Sequence, residues 1–104
     1  MNDSLQRKLA EQEKYYSRIK EEVTLLYNLE QKLLSADKLQ TAELEKQIKS
    51  TKQRIAYNNQ QIDKKDLRDS SLDREITNLE VAKQKQLALS EARNQDVANV
   101  KAVN

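Results

Sequence analysis

Residues 44–79 read LEKQIKSTKQRIAYNNQQIDKKDLRDSSLDREITNL. Ile48, Ile55 and Ile62 recur every seven residues, and the next steps fall on Asp69 and Ile76. Leu44, Leu72 and Leu79 take the companion positions, so in heptad lettering the isoleucines are a and the leucines are d. A seven-residue apolar repeat is the pattern of helices that wrap around another helix. It sets the class as all-α and coiled-coil-like. Through the middle of this stretch the d row is polar, with Thr51, Asn58 and Lys65. A wet, loosely packed d row is the expectation there, with a register-fixing role for Asn58 as the alternative.

Upstream, a first stripe runs through Leu5, Leu9, Tyr16, Ile19, Val23, Leu26 and Leu33. Between Ile19 and Leu34 it widens, because Leu25, Tyr27, Leu29 and Leu34 add apolar surface off the seam. A helix apolar over more than half its circumference needs more than one neighbour. Asp3 or Ser4 can cap this helix, Asp3 having capping-box spacing to Gln6.

The two registers are out of phase. Val23 and Ile48 are separated by three heptads plus four residues. An insertion of four is a stutter, which unwinds a coiled coil locally without breaking the helix. The change of register falls at residues 34–44. With no Gly or Asn there to take a left-handed C-cap, continuity is expected. The competing reading is a tight turn, followed by a new helix capped by Asp37 with Gln40. A second candidate break or hinge is residues 63–71, DKKDLRDSS, where only Leu67 is apolar and Asp69 falls on a seam position. Burying unpaired charge there would be costly. Ser70 with Asp73 has capping-box spacing for a helix that starts afresh. Beyond Leu79 the seam fails at Lys83, Gln86, Ser90 and Arg93, so residues 84–104 form a weakly anchored tail.

One all-helical unit spanning 1–104 follows, and an extended helix of about 150 Å is the leading arrangement. A helical hairpin and a three-helix bundle are the alternatives. With both breaks real, the helices would span 3–35, 38–68 and 71–101.

Composition supports the class. The 104 residues include no Gly and no Pro, the main turn formers. Charged residues make up 35% and hydrophobic ones 37%, too little for a thick core and enough for a narrow seam. The 19 basic and 17 acidic residues are interspersed, leaving a net charge of +2. No polybasic block offers itself to nucleic acid or an anionic membrane. Lys64, Lys65, Arg68, Lys83 and Lys85 are interrupted by acids and carry no interleaved aromatics for base stacking.

There is no His, Cys or Gly, which removes phosphate-cradling loops, Cys/His zinc sites and histidine-activated nucleophiles. Asp66, Asp69 and Asp73 share a helix face, and the simplest account of them is solvated acid at a helix start rather than a cation site. No catalytic residue, cofactor or metal is therefore expected, and the chain reads as a non-enzyme. No stretch approaches the length of a membrane span, and no apolar signal core opens the chain, so a cytoplasmic protein or part of an intracellularly assembled complex is expected.

What remains is association with other protein chains, either self or a larger assembly. The expected interaction residues are Ile19, Val23, Leu25, Leu26, Tyr27, Leu29, Leu33 and Leu34 on the first stripe. On the second they are Leu44, Ile48, Ile55, Ile62, Leu72, Ile76 and Leu79. The leading expectation is a structural coiled-coil subunit that scaffolds or staples a larger assembly. The alternative is a small helical chaperone or adaptor holding a client. In size and composition the chain resembles export-apparatus stalk proteins and three-helix tubulin-folding cofactors, a resemblance of architecture that rests on no diagnostic motif.

Overall fold

In a computed structural model the chain forms three helices, α1 (Asn2–Leu33), α2 (Lys38–Lys64) and α3 (Ser70–Val103). The backbone is described for residues 2–103 and side chains for residues 3–93. The all-α class holds, and of the three arrangements considered the chain takes the three-helix one. A single extended helix does not form, because both candidate breaks are real turns.

The first turn needs no left-handed residue. The end of α1 tightens through successive i→i−3 bonds: the Leu34, Ser35 and Ala36 N–H groups donate to Gln31, Lys32 and Leu33 carbonyls at 3.2–3.3 Å. Asp37 is then extended, and its carboxylate accepts from the Gln40 N–H at 2.8 Å. The Gln40 side chain accepts in return from the Asp37 N–H, completing a capping box. What the heptad count presents as a stutter is this turn.

The second turn is a Schellman motif built without glycine. Asp66 takes the left-handed conformation, with φ 58°. The Leu67 N–H reaches back to the Ile62 carbonyl at 2.8 Å and the Asp66 N–H to that of Asp63 at 3.2 Å. Asp tolerates this conformation better than most residues because its short polar side chain bonds locally. The hydrophobic contact that accompanies such motifs is present, since Leu67 and Ile62 are both fully buried in one core cluster. The candidate break thus contributes one of the most buried side chains.

The start of α3 also differs from expectation. Asp69, not Ser70, is the cap: its carboxylate accepts from the Leu72 N–H at 3.0 Å and its carbonyl from the Asp73 N–H at 2.9 Å. A residue whose heptad position implied a buried charge is instead the pivot at which the chain reverses. At the other end, α1 is already helical at Asn2, so Asp3 lies in the first turn rather than capping it. An acid there still favours the helix through the partial positive charge of its N-terminus.

α1 is the common neighbour. It packs along α2 and, less extensively, along α3, while among the described residues no Cα of α2 comes within 8 Å of one in α3. Glu11–Lys65 and Glu22–Arg54 pairs show α2 running antiparallel to α1. Lys20–Glu75 and Gln31–Ser90 contacts show α3 running parallel to it. Lys20 and Glu22 are two residues apart, about 160° around a helix with 3.6 residues per turn. The two neighbours therefore lie on widely separated sides of α1, and the molecule is flat and elongated, 71 × 26 × 15 Å. This satisfies the expectation that the broad apolar face of α1 requires more than one neighbour.

The core fills the V between α2 and α3 at one end only. Tyr15, Tyr16, Ile19 and Val23 of α1 meet Ile62, Leu67 and Ile76, with Tyr27, Ile55, Leu72 and Leu79 packed against them. The d row of α2 is drier than expected. Thr51 and Asn58 are buried. Their donors bond their own helix, Thr51 Oγ1 donating to the Gln47 carbonyl and Asn58 Nδ2 to that of Arg54, while the buried Asn58 Oδ1 has no partner among the described residues. The tail expected beyond residue 84 continues as α3, and Gln31 Nε2 donates to Ser90 Oγ; its side chains past Arg93 lie outside those described.

Candidate protein-docking groove

Where the core ends, the V between α2 and α3 stays open. The resulting groove has a volume of about 750 Å³. Glu30 and Leu33 from the last turn of α1 and Leu34 just beyond it form its floor, and Ile48 and Ala56 line it from α2 and Leu87 from α3. Lys49 and Lys52, together with Glu45 and Gln53, edge it on the α2 side, and Glu91 on the α3 side. Among the described residues, Glu30, Lys49, Lys52 and Glu91 form no ion pair. An apolar strip between unpaired charges of both signs can receive the apolar stripe of another helix and pair with its flanks.

The fifteen expected interaction residues divide between core and groove. Ile19, Val23, Ile62 and Ile76 are buried in the core, with Tyr27, Ile55, Leu72 and Leu79 partly buried against it. Leu29 is buried as well, while Leu25 is 40% exposed; the two line a smaller hollow with Gln47, Thr51 and Arg54. Leu26 and Leu44 are half-buried. Leu33, Leu34 and Ile48 are the members that meet at the groove.

Sequence reasoning missed Ala56 and Leu87, the other two apolar lining residues. Leu87 stands off the heptad row, but Leu79, Lys83 and Leu87 are spaced by four, a face that drifts out of a strict seven-residue repeat. Tyr15, one of four tyrosines that the sequence offers as interface anchors, also stands off the first stripe. That ring is buried, with the cationic groups of Lys14, Arg18 and Lys65 lying 5.4–5.8 Å from its centroid.

At the opposite end of the molecule a polar cluster locks the turn onto α1. The buried Tyr16 hydroxyl accepts from the Asp69 N–H at 2.9 Å and donates to Asp73 Oδ1 at 2.8 Å. Arg68 bridges Asp63 and Asp73 at 2.9 and 3.0 Å and also donates to the Asn59 carbonyl. Gln12 Nε2 donates to the Leu67 carbonyl at 2.8 Å. Burial raises the Tyr16 pKa above its ordinary value, and the Asp73 carboxylate adds to the rise. Burial alone would lower the Arg68 pKa, but Asp73 and Asp63 outweigh it and leave it raised.

The Asp69 and Asp73 carboxylates are occupied in this turn, and that of Asp66 is exposed. Among the described residues no group of three or more His, Cys, Asp or Glu side chains is placed to hold a metal ion. No helix is long and apolar enough to cross a membrane, again among the described residues. No known family model matches the chain, and neither a curated protein nor a solved structure is significantly similar to it.

Proposed function

We propose that the chain is a non-enzymatic helical subunit that joins a larger protein assembly by helix–helix packing. The observation that carries this reading is the groove between α2 and α3. Two helices flank a third and share one core cluster with it at one end, and an apolar strip is left open between them further along. A ligand of matching chemistry is an amphipathic helix with acids along one flank and bases along the other. α1 itself has that character, offering Glu11 and Glu22 to α2 and Lys20 to α3.

That the chain folds on itself into three packed helices favours a second reading, in which it is a small adaptor or chaperone that holds a client helix and releases it. The same groove serves both, and the lifetime of the complex separates them. A structural subunit stays in stoichiometric complex through purification, and an adaptor exchanges.

The test is co-purification from the source cells of the wild-type chain and of a groove-blocked variant, Ala56→Arg with Leu87→Glu. Ala56 is exposed and Leu87 half-buried, so the helices should persist. The expected result is retained helicity with loss of specific protein partners. Equal partner recovery by both chains would remove the groove from the functional account.

A further inference from the structure

The molecule carries a second unpartnered apolar feature. α1 begins well before its neighbours. Among the described residues, its first ion pair and its first hydrogen bond to the rest of the chain are Glu11 with Lys65 and Gln12 with Leu67. Residues 3–10 are all exposed, so roughly the first 12–13 Å of the helix protrude beyond the α2–α3 turn. This protrusion is amphipathic. Leu5 and Leu9, 59% and 53% exposed, lie one helical turn apart on the face that continues into Tyr16. Lys8 borders that stripe on one side, and among the described residues it forms no ion pair.

We propose that the protruding turns of α1 of one copy dock in the groove between α2 and α3 of a second copy, joining copies head to tail. This deepens, and rests on, the reading of the groove as a site for an amphipathic helix. Three observations select a second copy as the occupant. The lengths agree: from Glu45 to Ala56 the groove runs about 16 Å along α2, against the 12–13 Å of the protrusion. The charges agree on one flank, since the protrusion places Lys8 beside its leucines, where Glu91 can receive it. The groove opposes Lys49 and Lys52 to Glu91. Finally, the two features lie at opposite ends of one helix. Ala10 and Glu30 are about 30 Å apart along α1, so a chain cannot fill its own groove. The contact joins two different surfaces, so each copy added leaves a free protrusion and a free groove. Growth then continues as an open chain, or closes into a ring where the rotation per copy permits.

The experiment is sedimentation of the full chain over a concentration series, alone and in mixtures. One variant carries Leu5→Asp and Leu9→Asp and retains its groove. The other carries Ala56→Arg and Leu87→Glu and retains its protrusion. Leu5, Leu9 and Ala56 are exposed, and circular dichroism confirms that each variant remains helical. The wild-type chain should gain mass with concentration. Each variant alone should need a roughly hundredfold higher concentration to associate, the scale set by removing large apolar side chains from an interface. Mixed, the two variants should form a complex of one copy of each and nothing larger, because their one remaining protrusion and one remaining groove are then both used.

A wild-type chain that stays monomeric throughout overturns the head-to-tail contact. So does self-association that either variant retains, or a mixture in which the two variants ignore each other. If self-association fails while groove blockage still strips partners from the chain in cells, the docking reading stands and the occupant is another protein. If both fail, the groove is not an interaction site.

Discussion

Replacing Tyr16 by Phe should uncouple the α2–α3 turn from α1. The hydroxyl is the acceptor for the Asp69 N–H, at 2.9 Å, and Asp69 is the residue that caps α3. It also donates to Asp73 Oδ1, which keeps Arg68 as a partner when the hydroxyl is gone. The loss is therefore one orphaned, partly buried N–H and one donated bond, with the ring's packing retained. Leaving such a group unsatisfied costs roughly 1–3 kcal/mol, so a loss of about 2 kcal/mol is expected. For a domain of this size that corresponds to a fall of roughly 10 °C in melting temperature. Tyr57→Phe is the control, since Tyr57 is 57% exposed.

The same variant has a pH signature. The folded-state pKa of Tyr16 is raised above the value of about 10 that it has when unfolded. Between those two values the folded chain holds a proton that the unfolded chain has released, so stability falls as pH rises. The contribution is fully present below about pH 10 and is lost as pH climbs through the folded-state value. Lys65 and Arg68, also raised, act in the same direction, so the informative quantity is the difference in alkaline slope between wild type and Tyr16→Phe. Urea melts across the alkaline range measure it. If Tyr16→Phe matches Tyr57→Phe in melting temperature and matches wild type in alkaline slope, the hydroxyl does not tie the turn to α1.

Leu67→Ala should lose about 2–5 kcal/mol, as for a fully buried leucine, whereas Leu39→Ala, at 86% exposure, should stay within roughly 0.5 kcal/mol of wild type in the same urea titration. Asp66→Gly should raise stability by about 0.5–1 kcal/mol, because glycine takes the left-handed conformation at φ 58° without a Cβ clash; a shifted urea midpoint with an unchanged slope is the readout. Asp37→Ala removes the acceptor for the Gln40 N–H and should lose about 1 kcal/mol, with proteolysis becoming faster at residues 34–38.

The periodic parts of this fold were legible in the sequence. The a-row isoleucines lie where a heptad places them, Ile48 and Ile62 buried and Ile55 partly so, because burial along a seam follows helical geometry. The positions of both turns could be located, and the Asp37–Gln40 box forms as its spacing suggests. Turning itself was harder to read. Chain reversal is usually signalled by Gly or Asn, and this chain closes one helix with i→i−3 bonds and another with Asp66 in the left-handed region. Neither device has a strong sequence signature. The candidate groove was the least legible feature. It arises from the angle between α2 and α3 around α1, and Ala56 and Leu87 acquire their meaning only once that angle is known.

The angle and the open end of the V have a common origin in α3. Leu72, Ile76 and Leu79 hold the first part of this helix to the shared core, and at their level side chains from both outer helices fill the space above α1. The next seam position is Lys83, followed by Gln86 and Ser90. A half-buried lysine keeps its charged head toward water and cannot draw α3 inward. On α2 the facing positions are Lys52 and Lys49, with small Ala56 between them and the core. Polar groups on both outer helices leave the apolar lining of the groove uncovered, with Leu33 and Leu34 at the end of α1. Closing the groove from within would take large apolar residues at 83 and 52. Lys83→Leu with Lys52→Leu is therefore expected to bring α2 and α3 together, raise the melting temperature and exclude any docked helix. Small-angle scattering should show a more compact particle than the wild-type radius of gyration of 18.1 Å. If the double variant keeps that radius and still binds, the splay of α2 and α3 has some cause other than the failure of the α3 seam.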